Sequence, residues 1–123
     1  MPIHSTINRD VGIIEEAWIG AITIDDLKSY WQNYLLDPEV LGLRRILVDL
    51  RAAEIKFKGL ELDDLVQQFV VPKLNGLDWK TAIVTDKPIQ YGVSRQHQVF
   101  AERYSKDAIF YDYTEARAWL IAP

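Results

Sequence analysis

Three short apolar runs, each closed by an aspartate, punctuate the chain: Ile46-Leu47-Val48-Asp49, Ala82-Ile83-Val84-Thr85-Asp86 and Ala108-Ile109-Phe110-Tyr111-Asp112. After each, apolar residues return at helical spacing. Strand, acidic turn and helix, repeated at roughly 30-residue intervals, predict a parallel sheet with crossover helices. Ligands on such sheets usually sit at the carboxyl ends of the strands, where these aspartates fall.

Ahead of the first run, Ile3 to Ile7 and Val11 to Ile19 read as two strands joined by the turn Asn8-Arg9-Asp10, an antiparallel hairpin. Glu15 and Glu16 are adjacent on the second strand, so they point to opposite faces and cannot act as a carboxylate pair. Thr23 and Asp26 resemble a capping box. Leu27, Tyr30, Trp31, Tyr34 and Leu35 then form one helical stripe, and Pro38 follows its end. A second stripe, Leu62, Leu65, Val66, Phe69 and Val70, starts behind Glu61, Asp63 and Asp64 and is stopped or kinked at Pro72. Trp79 to Thr85 reads as a strand. A third helix is expected from about Ile89 to Tyr104, with Pro88 near its start and Asp86 as cap. Ala108 to Tyr111 reads as the last strand, and a short helix capped by Asp112 carries Ala116, Trp119 and Leu120. The loop Glu54 to Gly59 alternates apolar and basic residues; Ile55 and Phe57 are expected to pack inward.

Composition narrows the chemistry. The 123 residues correspond to a single domain, 1–123, and 49% of them are apolar, enough for a real core. With no cysteine, disulfides, thiolate chemistry and cysteine-ligated metals are excluded. A net charge of −4 disfavours nucleic acid, and no apolar stretch reaches the roughly 20 residues of a membrane span. No signal peptide is visible at Met1 to Thr6, and a cytoplasmic location is expected.

The order and spacing of four segments carry a resemblance: Trp18-Ile19-Gly20-Ala21-Ile22-Thr23-Ile24-Asp25-Asp26-Leu27, Leu47-Val48-Asp49-Leu50-Arg51-Ala52-Ala53-Glu54, Ala82 to Asp86 with Tyr91-Gly92-Val93-Ser94-Arg95, and Glu115-Ala116-Arg117-Ala118-Trp119-Leu120. Over about Val11 to Leu120 the chain resembles the uncharacterised bacterial domains of STAS-like fold, the SpoIIAA-like fold of anti-sigma-factor antagonists. The resemblance implies an α/β domain with an N-terminal β-hairpin and a mostly parallel sheet of four or five strands with crossover helices. Antagonists of this kind are switched by phosphorylation of a Ser or Thr just after the strand matching Ile46–Leu50. Here Arg51 to Val71 contains neither residue, so a phosphate switch has no acceptor at that place.

Candidate chemistry is sparse. Asp86 and Asp112 are read as caps, but the helix after Asp49 starts too late for Asp49 to cap it. Asp49 is expected to pair with Arg51 or Arg95. Tyr91 and Arg95, one turn apart on the third helix, would offer a phenol and a guanidinium to a carboxylate or phosphate. Asp49, Arg51, Tyr91 and Arg95 are therefore the candidate ligand- or partner-binding residues. Tyr91 to Gln96 holds half a nucleophile elbow, but Ser94 falls inside a helix and the one downstream base, His97, shares it. His4 and His97 are isolated, and His97 is expected on a polar helix face; no catalytic residue, metal or cofactor is expected. The leading expectation is a non-enzymatic cytosolic bacterial regulatory or adaptor domain that binds a protein partner. The alternative is a binding domain for a small anionic, acyl or lipid-like ligand. A homodimer is left open. A closed internal apolar pocket would favour the ligand; a flat exposed apolar patch would favour the partner.

Overall fold

The computed structural model describes residues 2–34, 37–74, 78–102 and 105–122. Leu35, at the end of the first stripe, and Tyr104, the expected end of the third helix, lie outside them. In chain order the elements are β1 (Ile3–Asn8), β2 (Ile13–Trp18), β3 (Gly20–Ile22), α1 (Ile24–Tyr34), α2 (Pro38–Leu43), β4 (Arg45–Asp49), β5 (Ala53–Ile55) and α3 (Gly59–Leu65). A π-helical turn, Val66–Val70, leads into α4 (Val71–Leu74), followed by β6 (Trp79–Val84), α5 (Pro88–Ala101), β7 (Ser105–Phe110) and α6 (Tyr113–Ile121).

Five strands form the main sheet in the order β1-β2-β4-β6-β7. The hairpin pairs β1 with β2 antiparallel, Ile3 opposite Trp18 and Asn8 opposite Ile13. Its turn closes with Gly12 N–H donating to Asn8 O at 2.9 Å, and Gly12 takes the positive φ of 70° that the turn needs. All remaining pairs in this sheet are parallel, as strand–helix–strand repeats require. Across the sheet the register aligns Ile14, Ile46, Thr81 and Asp107 in one row, and Glu16, Val48, Ile83 and Ile109 in the next. Because strand side chains alternate between faces, both rows share one face.

Helices α1 and α3 to α5 cover that face, with Trp18, Ile22, Leu27, Leu62, Leu65 and Ile83 in the core between. The opposite face, Ile13, Leu47, Ala82 and Val84, is covered by Ala116 and Leu120 of α6. The start of α6 is capped by Asp112, whose carboxylate accepts from Thr114 N–H at 2.9 Å. Its last carbonyls, which no helical N–H can reach, are taken by two cations from the sheet. Arg45 donates to Leu120 O and Ile121 O, and Lys80 to Trp119 O and Ala122 O.

Several expectations change. The Thr23–Asp26 capping box is present in both directions, at 2.8 and 3.2 Å. Asp86, by contrast, does not cap α5. Lys87 holds the N-cap position, Pro88 presets the first turn, and Asp86 takes the Lys87 ammonium at 2.9 Å. The helix α2 was not expected; Asp37 caps it and Pro38 opens it. Its end at Arg44 takes a left-handed φ of 59°. The Glu54–Gly59 loop does contribute a strand, β5, which pairs with β3 in a separate two-stranded parallel ladder, and Ile55 and Phe57 are buried. Pro72 does not end the second helix. The ladder widens to i→i+5 just ahead of it, Val71 N–H donating to Val66 O, and helix continues to Leu74.

Candidate functional site

Between the sheet face that carries Glu16 and the helical layer lies a partly open cavity of about 130 Å³. Its wall is mostly apolar and aromatic: Trp18, Trp31, Tyr34, Val48, Leu50, Phe57, Leu62, Val66, Val70, Trp79, Ile83 and Val93 all contribute. The π turn sits in this wall, through Val66 and Val70. Two polar poles interrupt it.

The first pole is Glu16, 5% exposed, on the inward face of β2. Its Oε1 accepts from Trp18 Nε1 at 3.1 Å. Burial pushes the carboxyl above its ordinary range, and the nearby Trp18, Tyr30 and Tyr34 donors temper the rise. The Tyr30 and Tyr34 rings stack at 4.7 Å, yet neither hydroxyl closes a hydrogen bond of good geometry. Burial and the Glu16 charge raise both phenols.

The second pole lies across the sheet on β7 and α5. His97 stands between two carboxylates, its Nδ1 3.5 Å from Asp63 Oδ1 and its Nε2 3.7 Å from Asp107 Oδ2. Both separations exceed a good hydrogen bond, so these are ionic contacts when the imidazole is protonated. Asp107 also accepts from the Ser105 hydroxyl. Burial raises its carboxyl, against the lowering effect of His97, Ser105 and Thr81. Since the two ring nitrogens face different carboxylates, the three residues form a chain rather than a converging ligand set. Among the described residues no group of three or more His, Cys, Asp or Glu is placed to hold a metal ion.

His97 was expected on a polar helix face. It lines the cavity instead, with its side chain 20% exposed, because Gln90, Val93, Ser94, His97 and Ala101 share the inward side of α5. Ser94 lines the cavity too, in the second turn of α5 and not at a strand-to-helix turn. Glu16, Asp63 and Asp107 were not singled out. The signal for Glu16 was its place between Ile14 and Trp18 on the apolar face of a strand. Asp107 was hidden because its strand begins three residues before the expected start.

The four candidate residues are not brought together. Asp49 and Arg51 pair at the carboxyl edge of the sheet, Nη2 to Oδ2 at 2.9 Å. Burial pulls the Asp49 carboxyl up, but the Arg51 side-chain and backbone donors outweigh it and hold it below its ordinary value. The Arg51 guanidinium also lies over the Tyr113 ring, and Lys87 donates to Arg51 O. Tyr91, in the first turn of α5, stacks on Tyr111 just past the end of β7, centroids 6.1 Å apart. Arg95 goes elsewhere. It donates to Gln98 at 2.8 Å and lines a surface groove at the amino edge of the sheet with Arg44, Lys80 and Lys106. Among the described residues no ion pair or hydrogen bond joins it to Asp49. The position facing the β4 end is held by Gln90, fully buried, which donates to Leu50 O at 2.6 Å and Ala53 O at 3.0 Å and accepts from Asp86 N–H.

No helix among the described residues is long and apolar enough to cross a membrane. No family model matches the chain, and no curated protein matches it. In structure it is similar to an uncharacterised protein of the DUF3478 family from Shewanella loihica PV-4, with a TM-score of 0.65 and 18% identity over 96% of this chain and 93% of that one. That crystal structure is described as having a SpoIIAA-like fold, and the layered sheet derived above is the same architecture: the chain has a SpoIIAA-like fold.

Proposed function

We propose that this domain is a non-enzymatic binding module for a small, largely apolar molecule held between the sheet and the helical layer. The observation that carries the reading is the cavity itself. Close-packed interiors leave few voids larger than a water molecule; one of about 130 Å³ is the size that elsewhere admits a single aromatic ring. Its apolar wall supplies the binding energy and its two polar poles supply orientation. The stacked Tyr91–Tyr111 pair, 40% and 67% exposed at the carboxyl edge, favours a second reading, a contact surface for a protein partner. Neither reading uses a phosphate switch after β4. The cysteine-free composition agrees with a cytosolic setting.

Native mass spectrometry of the purified protein, with a thermal melt in toluene, tests both readings. The cavity reading expects a small-molecule adduct, or stabilisation by toluene of about 1.4 kcal/mol at ten times its dissociation constant. A bare mass with an unchanged melt in saturating toluene would overturn it. A protein adduct or homodimer in the same spectrum would support the surface reading.

A further inference from the structure

We infer that the cavity selects a cationic ligand, a primary ammonium on a ring-sized apolar body, seated at Glu16. The inference rests on the cavity reading above and adds the charge of the occupant.

Among the described residues, Glu16 is buried in neutral company. Trp18 Nε1 donates to it, and the Tyr30 and Tyr34 hydroxyls approach it. Among the described residues it forms no ion pair with a Lys, Arg or His. Among the described residues that line the cavity, the one basic side chain, His97, faces Asp63 and Asp107. Asp107 is on β7, three strand spacings or roughly 14 Å from β2. Buried carboxylates in proteins are ordinarily paired with a cation. One that is not must hold a proton or receive a cation from outside.

The surroundings favour an arriving cation. Trp18, Trp31 and Tyr34 line the same cavity, and the faces of such rings attract ammonium groups. An independent observation points to an occupant: Trp79 is 4% exposed, lines the cavity, and its Nε1–H has no hydrogen-bond partner. A buried donor left open in this way costs stability until an acceptor arrives. The occupant that satisfies both ends is an amine whose apolar body also carries an acceptor oxygen.

Three probes of one shape separate the alternatives: benzylamine, protonated at neutral pH; ethylbenzene, its uncharged counterpart; and phenylacetate, an anion. Binding is read by calorimetry and by the fluorescence of the cavity tryptophans. Benzylamine is expected to bind at least about tenfold more tightly than ethylbenzene, the scale of a charge-assisted hydrogen bond, and phenylacetate to bind most weakly. In Glu16→Gln the preference for benzylamine over ethylbenzene should vanish. Ethylbenzene or phenylacetate binding the native protein as tightly as benzylamine overturns the ammonium inference and leaves the cavity reading standing. An amine preference that survives in Glu16→Gln overturns Glu16 as its seat. Binding of none of the three at millimolar concentration overturns both. The comparison on the native protein decides without any variant, so a poorly folding Glu16→Gln does not blunt the test.

Discussion

Replacing Glu16 by Gln is expected to stabilise the unliganded protein, and to do so more strongly as pH rises. Burial disfavours the ionised carboxyl, so Glu16 titrates above its ordinary value of 4.5 in the folded state. From about pH 4.5 upward the folded protein then holds a proton that the unfolded chain has released. Stability falls with rising pH until the folded-state value is passed, and below 4.5 the penalty is absent. One group of this kind changes stability by at most about 1.4 kcal/mol per pH unit. Glutamine keeps the volume and the acceptor for Trp18 Nε1, and it adds a donor beside the open Tyr30 and Tyr34 hydroxyls. The two proteins should therefore lie closest at and below pH 4.5, with the variant gaining on the native protein as pH rises, by at most about 1.4 kcal/mol per pH unit. The assay is urea unfolding at half-unit pH steps, followed by tryptophan fluorescence. The difference between the proteins isolates Glu16, because every other ionisable group is common to both. Parallel curves, or a variant weaker than the native protein at pH 7, would refute the reasoning.

Gln90→Leu should lose about 2–4 kcal/mol in chemical denaturation, since it removes three hydrogen bonds and leaves the Ala53 carbonyl and the Asp86 N–H without their Gln90 partner, while the Leu50 carbonyl keeps the Ala53 N–H; a loss below 1 kcal/mol would mean water or backbone shifts replace them. Arg95→Ala should cost under about 1 kcal/mol, because its side-chain partner among the described residues, Gln98, is met at the surface; a loss of 3 kcal/mol or more in the same assay would place Arg95 in a buried pair after all.

The sheet was legible because its evidence is local. Strands β4, β6 and β7 each contain a short apolar run, and the hairpin and the Thr23–Asp26 box are written in neighbouring residues. Helix α2 was written there too, in Asp37-Pro38-Glu39, but its single turn and a half was masked by the proline that ends the first stripe. The π turn left only part of its trace: Pro72, with no N–H to give, marked a stop or kink, but nothing local marked the i→i+5 widening ahead of it. The site was the least legible part. Its poles come from β2, α3, α5 and β7, and their meeting depends on register and helix rotation that no single segment encodes. The Asp49–Arg51 pair could be read because two residues separate its partners. Arg95 could not, because a modest rotation of α5 gives Gln90 to the β4 end and turns Arg95 toward the groove.

The π turn has a consequence for how this domain can diversify. One residue more than a regular helix needs is stored in the cavity wall, at a segment where Gln67 and Gln68 face solvent. Removing one of them restores ordinary α-helical hydrogen bonding while the flanking turns keep the faces they present. The wall is then reshaped by a change of length, with the sheet, both polar poles and every lining side chain chemically untouched. Relatives that differ by a single gap between Leu65 and Pro72 would thus carry a differently sized chamber behind an identical set of recognition groups.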